Sequence, residues 1–174
     1  MQSSFHRLGS WHTRGVPEIV QLLASPVHRY EGRPSDGPAA APPGELVEQV
    51  TVRAGLGIVG DRYFAKPAHR DASVTVMARE SLPAGADLVQ ARRNILVSGL
   101  AVDELVGSVL GLDSGAGTVW LEVRRRANPC AWMDVVIAPG AFKALRGRGG
   151  IRCVPLNDGV LRVGPVEVAI RATA

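Results

Sequence analysis

The chain has 174 residues, of which 46% are hydrophobic and 5% aromatic, and its formal net charge is +4. A chain of this length forms one domain with an aliphatic core, and no apolar run reaches the roughly 20 residues that a membrane-spanning helix needs. Its two cysteines make neither a disulfide framework nor a zinc site, and no secretory signal is present, so we expect a cytoplasmic protein with reduced thiols and no membrane association.

The first part of the chain predicts an arm, a strand, a loop and a second strand. Residues 1–15 are polar and mixed, so we expect a flexible N-terminal arm before a single domain at residues 16–174. Apolar residues follow a strand pattern at residues 18–25 and 46–53. The stretch between them, residues 25–43, is rich in Pro and Gly and predicts a long surface loop.

Three glycines follow the second predicted strand, at Gly55, Gly57 and Gly60. Their spacing matches the dinucleotide-binding fingerprint formally, but no helix signal follows Gly60 and no βαβ unit surrounds it. We therefore interpret the glycines as a region of unusual backbone angles or as a place where a ligand approaches the backbone closely.

The rest of the chain consists mostly of short strands. Strands are predicted at residues 72–78, 94–98, 108–112, 118–124, 151–156, 160–163 and 166–171. Residues 131–145 form the one sizeable helical region of the sequence, and Pro139-Gly140 interrupts it. Many short strands with few helices predict a mainly β, barrel-like fold.

The most informative segment joins a strand to this helical region. Three arginines, Arg124 to Arg126, end the strand, and Asn128, Pro129 and Cys130 follow. Asn128 is a good N-cap and Pro129 suits the first helical position, so we expect Cys130 in the first turn of a helix. The helix dipole and the arginines favour a thiolate there, which would serve as a nucleophile or a metal ligand. The alternative is a buried, inert thiol, which we expect for Cys153 within an alternating strand.

Three other loops are basic or rich in glycine, and each lies at the end of a predicted strand. They are Gly60-Asp61-Arg62, Arg92-Arg93-Asn94 and the loop 146–150, which contains Arg148. Loops at one end of a barrel converge on its mouth, where Arg side chains and glycine N–H groups would form an anion pocket, most simply for phosphate. Taken singly, each loop is more simply interpreted as a solvated surface turn. The four histidines show no metal-binding spacing.

Taken together and in this order, the motifs resemble a MOSC domain, which is found at the C-terminus of molybdenum cofactor sulfurases and as small stand-alone bacterial proteins. The motifs are Gly57-x-x-Gly60-Asp61-Arg62, residues 92–100, Leu105-Val106-Gly107, Asn128-Pro129-Cys130, Leu145-x-Gly147-Arg148-Gly149-Gly150-Ile151-Arg152 and residues 159–164. The resemblance covers residues 19 to 170, and it depends on the order of the motifs because each one alone is weak. One departure is Tyr63, where many members have His after Gly-Asp-Arg.

The resemblance implies a mostly β, barrel-like fold that binds molybdenum cofactor (molybdopterin). It implies that Cys130 either ligates molybdenum or carries sulfur as a persulfide, and that Arg92 and Asn94 help to hold the pterin phosphate end. Within the anion pocket expected from the loops, the further candidate ligands of the cofactor are Gly60, Asp61, Arg62, Arg93 and Arg148. A soft thiolate is a suitable ligand for a soft metal–sulfur centre.

Several functions stay open at this stage. The resemblance suggests a molybdenum-dependent oxidoreductase that reduces N-hydroxylated compounds, or a sulfur transferase. Nothing in the chain resembles a pyridoxal-phosphate desulfurase or an iron–sulfur cysteine cluster, so a separate cysteine desulfurase or electron-transfer partner is expected. The alternative is a non-enzymatic persulfide carrier or cofactor delivery module. Nucleic-acid binding is disfavoured because the arginines are dispersed and stacking aromatics are scarce.

Overall fold

The computed structural model describes residues 15–173, and within them the chain is mainly β. The strands are β1 (Glu18–Leu23), β2 (Leu46–Val47), β3 (Gln49–Arg53), β4 (Gly57–Ile58), β5 (Val74–Ala78), β6 (Ile95–Ser98), β7 (Ser108–Asp113), β8 (Val119–Arg126), β9 (Ile151–Pro155), β10 (Gly159–Arg162), β11 (Gly164–Pro165) and β12 (Glu167–Ala172). The helices are α1 (Leu88–Ala91), α2 (Trp132–Val136) and α3 (Ala141–Ala144). The prediction of a mainly β, barrel-like fold is confirmed. The arm predicted at residues 1–15 lies, apart from Gly15, outside the described residues.

Nine strands form one long sheet that curls into a half barrel, in the order β11-β1-β6-β5-β9-β8-β7-β12, with β2 paired to β1. A smaller sheet of three strands has the order β10-β3-β4. Strands β5 and β6 pair in parallel, and parallel strands need a crossover connection. Residues 79–94 supply that connection and include α1.

The two faces of the long sheet bury different apolar clusters. The inner face packs against the small sheet, and the shared core includes Ile19, Val52, Ile58, Val76, Leu121 and Leu161. On the outer face, Met77 and Leu96 pack against Leu88, Trp132 and Leu145 from the helical segments. Because successive side chains of a strand point to opposite faces, neighbouring residues of β5 and β6 enter different clusters.

A β-bulge near the end of β8 changes which arginine reaches the outer face. Val123 lies opposite Cys153, and both belong to the inner cluster. The register then shifts, so that Arg125 lies opposite Arg152. Arg152 alternates with the inward-facing Ile151 and Cys153, so it points to the outer face. Arg125 therefore also lies on the outer face, which regular alternation with Val123 would not allow.

The predicted start of the helix after the three arginines is wrong by three residues. Helix α2 begins at Trp132, its N-cap is Ala131, and no side chain caps it. The reason is tertiary, because the carbonyl of Asn128 accepts a hydrogen bond from Arg93 and Pro129 packs against the position of Gly149. Cys130 thus precedes the helix, and the argument from the helix dipole does not apply to its thiol.

Other differences from the predicted elements are small. The single strand expected at residues 46–53 is two strands, β2 and β3, which are separated by Glu48. Helix α1 was not predicted, although Asp87 and Gln90 form a capping box at its start. The expected break in the helical region at Pro139-Gly140 is confirmed, since α2 and α3 lie on its two sides. Among the described residues, no helix is both long and apolar enough to cross a membrane.

Candidate ligand-binding site

Asp61 holds together three of the loops that the sequence singled out. Its buried carboxylate accepts hydrogen bonds from Asn94 Nδ2 at 3.0 Å, from the backbone N–H of Tyr63 at 3.0 Å and from Arg62 at 3.2 Å. The backbone N–H of Ser25 donates a longer bond of 3.4 Å. The predicted site residues Asp61 and Asn94, from the first and second motifs, are therefore in direct contact.

Asn94 is fully buried, and both ends of its amide are occupied by the protein. Its oxygen accepts hydrogen bonds from the backbone N–H of Thr75 at 3.0 Å and from the hydroxyl of Thr75 at 2.9 Å. Its nitrogen donates to Asp61 and to the carbonyl of Leu23 at 3.2 Å. Buried polar groups are normally satisfied in this way, so Asn94 fastens β5, β1 and the 60–62 loop together.

Arg92 makes a buried ion pair rather than an open anion site. It ends α1 in the left-handed conformation, with φ of 54°. One guanidinium nitrogen lies 2.8 Å from each carboxylate oxygen of Glu45, and the other donates to the carbonyl of Val27 at 2.9 Å. Its Nε is buried and has no hydrogen-bond partner among the described residues. Arg62 donates to the backbone carbonyl of Arg92 at 2.9 Å, so these two arginines brace the same loops.

Arg93 fixes the chain just before Cys130. Its guanidinium donates to the carbonyls of Gly149 at 2.9 Å, Ala127 at 3.2 Å and Asn128 at 3.2 Å. Burial, with the positive charge of Arg152 nearby, lowers the pKa of Arg93 to about 10. The side chain therefore stays protonated at neutral pH and carries its charge next to Cys130.

The two cysteines lie in opposite surroundings. Cys130 is exposed, and its carbonyl accepts a hydrogen bond from Met133 at 3.0 Å. Cys153 is buried in the inner cluster, where burial raises the pKa of its thiol, and this confirms the prediction of a core cysteine. Of the two cysteines, only Cys130 thus offers a sulfur that a solute can reach.

An aromatic pair follows the Cys130 segment at the start of α2. Tyr30 stacks on Trp132, with ring centroids 5.2 Å apart and planes at 14°. The hydroxyl of Tyr30 donates to the carbonyl of Gln90, and burial raises the pKa of Tyr30 to about 12. Tyr30 is therefore protonated, and it ties the loop 25–43 to α1 and α2.

Arg125 and Arg152 have side chains without internal partners. They lie directly opposite each other on β8 and β9, and neither forms a salt bridge or hydrogen bond with another residue in the range 15–173. His69 lies on the short 3₁₀ helix Pro67–Ala72, which packs against β8 and β9, and burial together with the charge of Arg152 lowers the pKa of His69. The ring of His69 is 4.2 Å from that of Tyr63, which also lies 4.5 Å from the guanidinium of Arg62. We call Arg62, Arg93, Arg125, Arg152 and His69 the basic cluster.

The structure brings most of the predicted site residues together, with two exceptions. Asp61 and Arg62 share one hydrogen-bonded network with Arg92 and Asn94, and Arg93 links it to the Cys130 segment. Arg148 points elsewhere, since it is exposed and donates to the carbonyl of Glu80 at 2.8 Å. Gly60 is an exposed turn residue with φ of 83°, and a Cβ added to it would meet no atom within 4 Å.

Sequence reasoning did not select Arg125, Arg152 or His69. The alternation of Ile151, Arg152 and Cys153 signals that Arg152 faces away from the core. No local pattern shows which of the three consecutive arginines shares that face, because the bulge in β8 decides it. Two surface depressions lie away from the cluster, one beside Trp120 and Arg171 and one beside Val16 and Glu167.

Comparison with solved structures gives the fold. The YuaD protein from Bacillus subtilis is 17% identical over 92% of this chain and 98% of its own, with a TM-score of 0.66. YiiM from Geobacillus stearothermophilus is 18% identical over 88% of this chain and 75% of its own, with a TM-score of 0.55. YiiM from Escherichia coli is 16% identical over 90% of this chain and 72% of its own, with a TM-score of 0.53.

The chain has a MOSC-like fold. The resemblance drawn from the order of the sequence motifs is supported at this level, because these neighbours are MOSC-domain-like small proteins. No family model matches the sequence, and no curated protein does.

Proposed function

We propose that the protein binds molybdenum cofactor and that Cys130 is the sulfur that meets the molybdenum. The observation that carries the proposal is an exposed thiol, Cys130, next to a basic cluster on a MOSC-like fold. A reachable cysteine is a suitable soft ligand for a metal–sulfur centre. The arginines fit the anionic end of the same molecule.

The donor set of this chain fits the two ends of such a cofactor. Cys130 would hold the metal, and the free arginines of the basic cluster would hold the negatively charged end. Arg93 would keep the Cys130 segment in place through its bonds to the carbonyls of Ala127 and Asn128. Asp61, Arg92 and Asn94 would hold the loops of the site in place without contacting the cofactor, because protein groups already occupy most of their polar atoms. When bound, the cofactor would supply two-electron redox chemistry.

Metal and pterin analysis tests this proposal. The protein is purified from a host that makes the cofactor, and molybdenum and pterin are measured per chain. We expect both in the wild type and little molybdenum in Cys130→Ser, whereas the matched variant Cys153→Ala should retain the wild-type content per folded chain. A wild type without metal and pterin would contradict cofactor binding. A Cys130→Ser variant as rich in molybdenum as the wild type would refute the role of Cys130 alone.

A second candidate function is sulfur carriage. It is favoured by the exposure of Cys130, because a carrier thiol must be reached by a donor protein. The protein is incubated with a cysteine desulfurase and free cysteine, and intact mass is then measured. A gain of about 32 Da, one sulfur atom, on Cys130 and not in Cys130→Ser is expected for a persulfide carrier. An unchanged mass at Cys130 would remove this function.

For the protein with cofactor bound, we propose reduction of N-hydroxylated compounds as the reaction. This reaction would need an electron-transfer partner.

A further inference from the structure

We infer that Arg125, Arg152 and His69 form a binding site for the phosphate group of a phosphate monoester. This site differs from the one expected from the sequence, in which Arg92 and Asn94 hold the phosphate. The inference deepens the proposed function and rests on it only for the source of the phosphate. The cofactor has such a group, and a phosphorylated substrate would carry the same one.

Arg125 and Arg152 place two like charges opposite each other on paired strands. Arg125 and Arg152 are directly opposite residues of adjacent antiparallel strands, where Cβ atoms are about 4.5–5.5 Å apart and like charges destabilise the sheet. No carboxylate in the described range forms a salt bridge with either of them. A bound dianion would remove this repulsion, and the forked Arg side chain matches phosphate oxygens bidentately.

The other two arginines of the basic cluster, Arg62 and Arg93, already have partners within the protein. Four arginines have carboxylate partners, in the pairs Arg53–Asp158, Arg62–Asp61, Arg92–Glu45 and Arg124–Glu122. Arg93 and Arg126 donate to backbone carbonyls instead. Arg125 and Arg152 keep all their guanidinium donors available for a ligand, whereas Arg92 would have to break a buried ion pair to bind one.

His69 and Tyr63 lie in ring contact on the helical side of the two strands. The short 3₁₀ helix Pro67–Ala72, which carries His69, packs against β9 and β8, the strands of the two arginines. The charged groups that act on His69 are Arg152, His28, Arg62 and Arg125, all of them basic. The half-buried imidazole can donate a hydrogen bond to a phosphate oxygen, and the ring of Tyr63 fixes its position at 4.2 Å.

Binding of phenyl phosphate to the cofactor-free protein tests the inference. Isothermal titration at constant ionic strength compares the wild type with Arg125→Gln and Arg152→Gln. The control Arg124→Gln removes the same charge from the next residue, which pairs with Glu122 at the surface. We expect saturable binding, weakened about tenfold or more by each test variant and less than twofold by the control. Absence of saturable binding by the wild type, or binding by both test variants as tight as that of the wild type, would overturn the inference.

The imidazole of His69 gives a readout that a folding defect would not mimic. In an NMR titration of the folded wild type, phenyl phosphate should raise the pKa of His69, because a nearby dianion favours the protonated ring. Arg152→Gln should also raise this pKa without ligand, since one repelling charge is removed. An unchanged pKa of His69 at saturating phenyl phosphate would place the ligand elsewhere and refute the site.

The source of the phosphate is identified by the pterin content of the same variants from a cofactor-producing host. Loss of pterin in Arg152→Gln, with normal content in Arg124→Gln, identifies the cofactor as the ligand. Normal pterin in all of them, together with weakened phenyl phosphate binding, identifies a phosphorylated substrate. The titration uses cofactor-free protein, so its result does not depend on whether the protein binds molybdenum.

Discussion

Glu45 and Arg92 form a buried ion pair, and Glu45→Ala removes only one of the two charges. The side chains of Arg92 and Glu45 are 6% and 4% exposed, and the guanidinium nitrogen lies 2.8 Å from both carboxylate oxygens. The variant leaves the guanidinium buried with one remaining bond, to the carbonyl of Val27. Removing one partner of a buried pair costs about 3–5 kcal/mol, which corresponds to about 6–20 °C in melting temperature for a domain of this size.

Urea denaturation of the purified variants measures this free energy of unfolding. The control Glu122→Ala breaks the surface pair with Arg124, whose side chains are 23% and 47% exposed, and it should cost at most about 1 kcal/mol. The double variant Glu45→Ala, Arg92→Met should be less destabilised than the sum of its single variants, because no unpaired charge stays buried. A loss below about 1 kcal/mol in Glu45→Ala would refute the structural role that we assign to Arg92.

Two further predictions concern the backbone and the thiols. Gly150→Ala should lower the free energy of unfolding by more than about 2 kcal/mol, since φ is 90° and the new Cβ would collide with the carbonyl oxygen of Val76. The comparison variant Gly147→Ala has φ of 75° and only the end of an Arg side chain nearby, so it should lower this free energy by about 1–2 kcal/mol. An aromatic disulfide reagent should modify one thiol in the folded protein, Cys130, and two in denaturant, because Cys153 is buried and burial raises its pKa. Two reactive thiols in the folded state would contradict this burial.

The strands and their core faces could be predicted because both depend on local alternation. In β9, Ile151 and Cys153 enter the core while Arg152 does not, as a period of two residues requires. The break between α2 and α3 follows in the same way from the Pro-Gly sequence that interrupts the helical pattern. Helix α1 also had a local signal, the capping box of Asp87 and Gln90, but its length of four residues is too short for a periodic pattern.

The start of α2 could not be predicted because distant residues decide it. Asn128 and Pro129 carry good signals for the start of a helix. The guanidinium of Arg93, 35 positions earlier, donates a hydrogen bond to the carbonyl of Asn128. Gly149 has no side chain, so Pro129 can pack closely against it. The segment therefore stays irregular through Cys130, and the thiol does not lie in the first helical turn where the sequence predicted it.

Arg92 and Asn94 show why the sequence could identify the loops of the site but not the atoms that face a ligand. A buried arginine needs a carboxylate, and the partner of Arg92 is Glu45, 47 positions away in another loop. A buried amide needs a donor and an acceptor, and Asn94 takes them from Thr75 and Asp61. Residues of the types that suggest an anion pocket thus use their polar groups to join the loops. The two arginines of the basic cluster that have no internal partner, Arg125 and Arg152, owe their position to a bulge and to strand pairing, so only the folded chain distinguishes them from their neighbours.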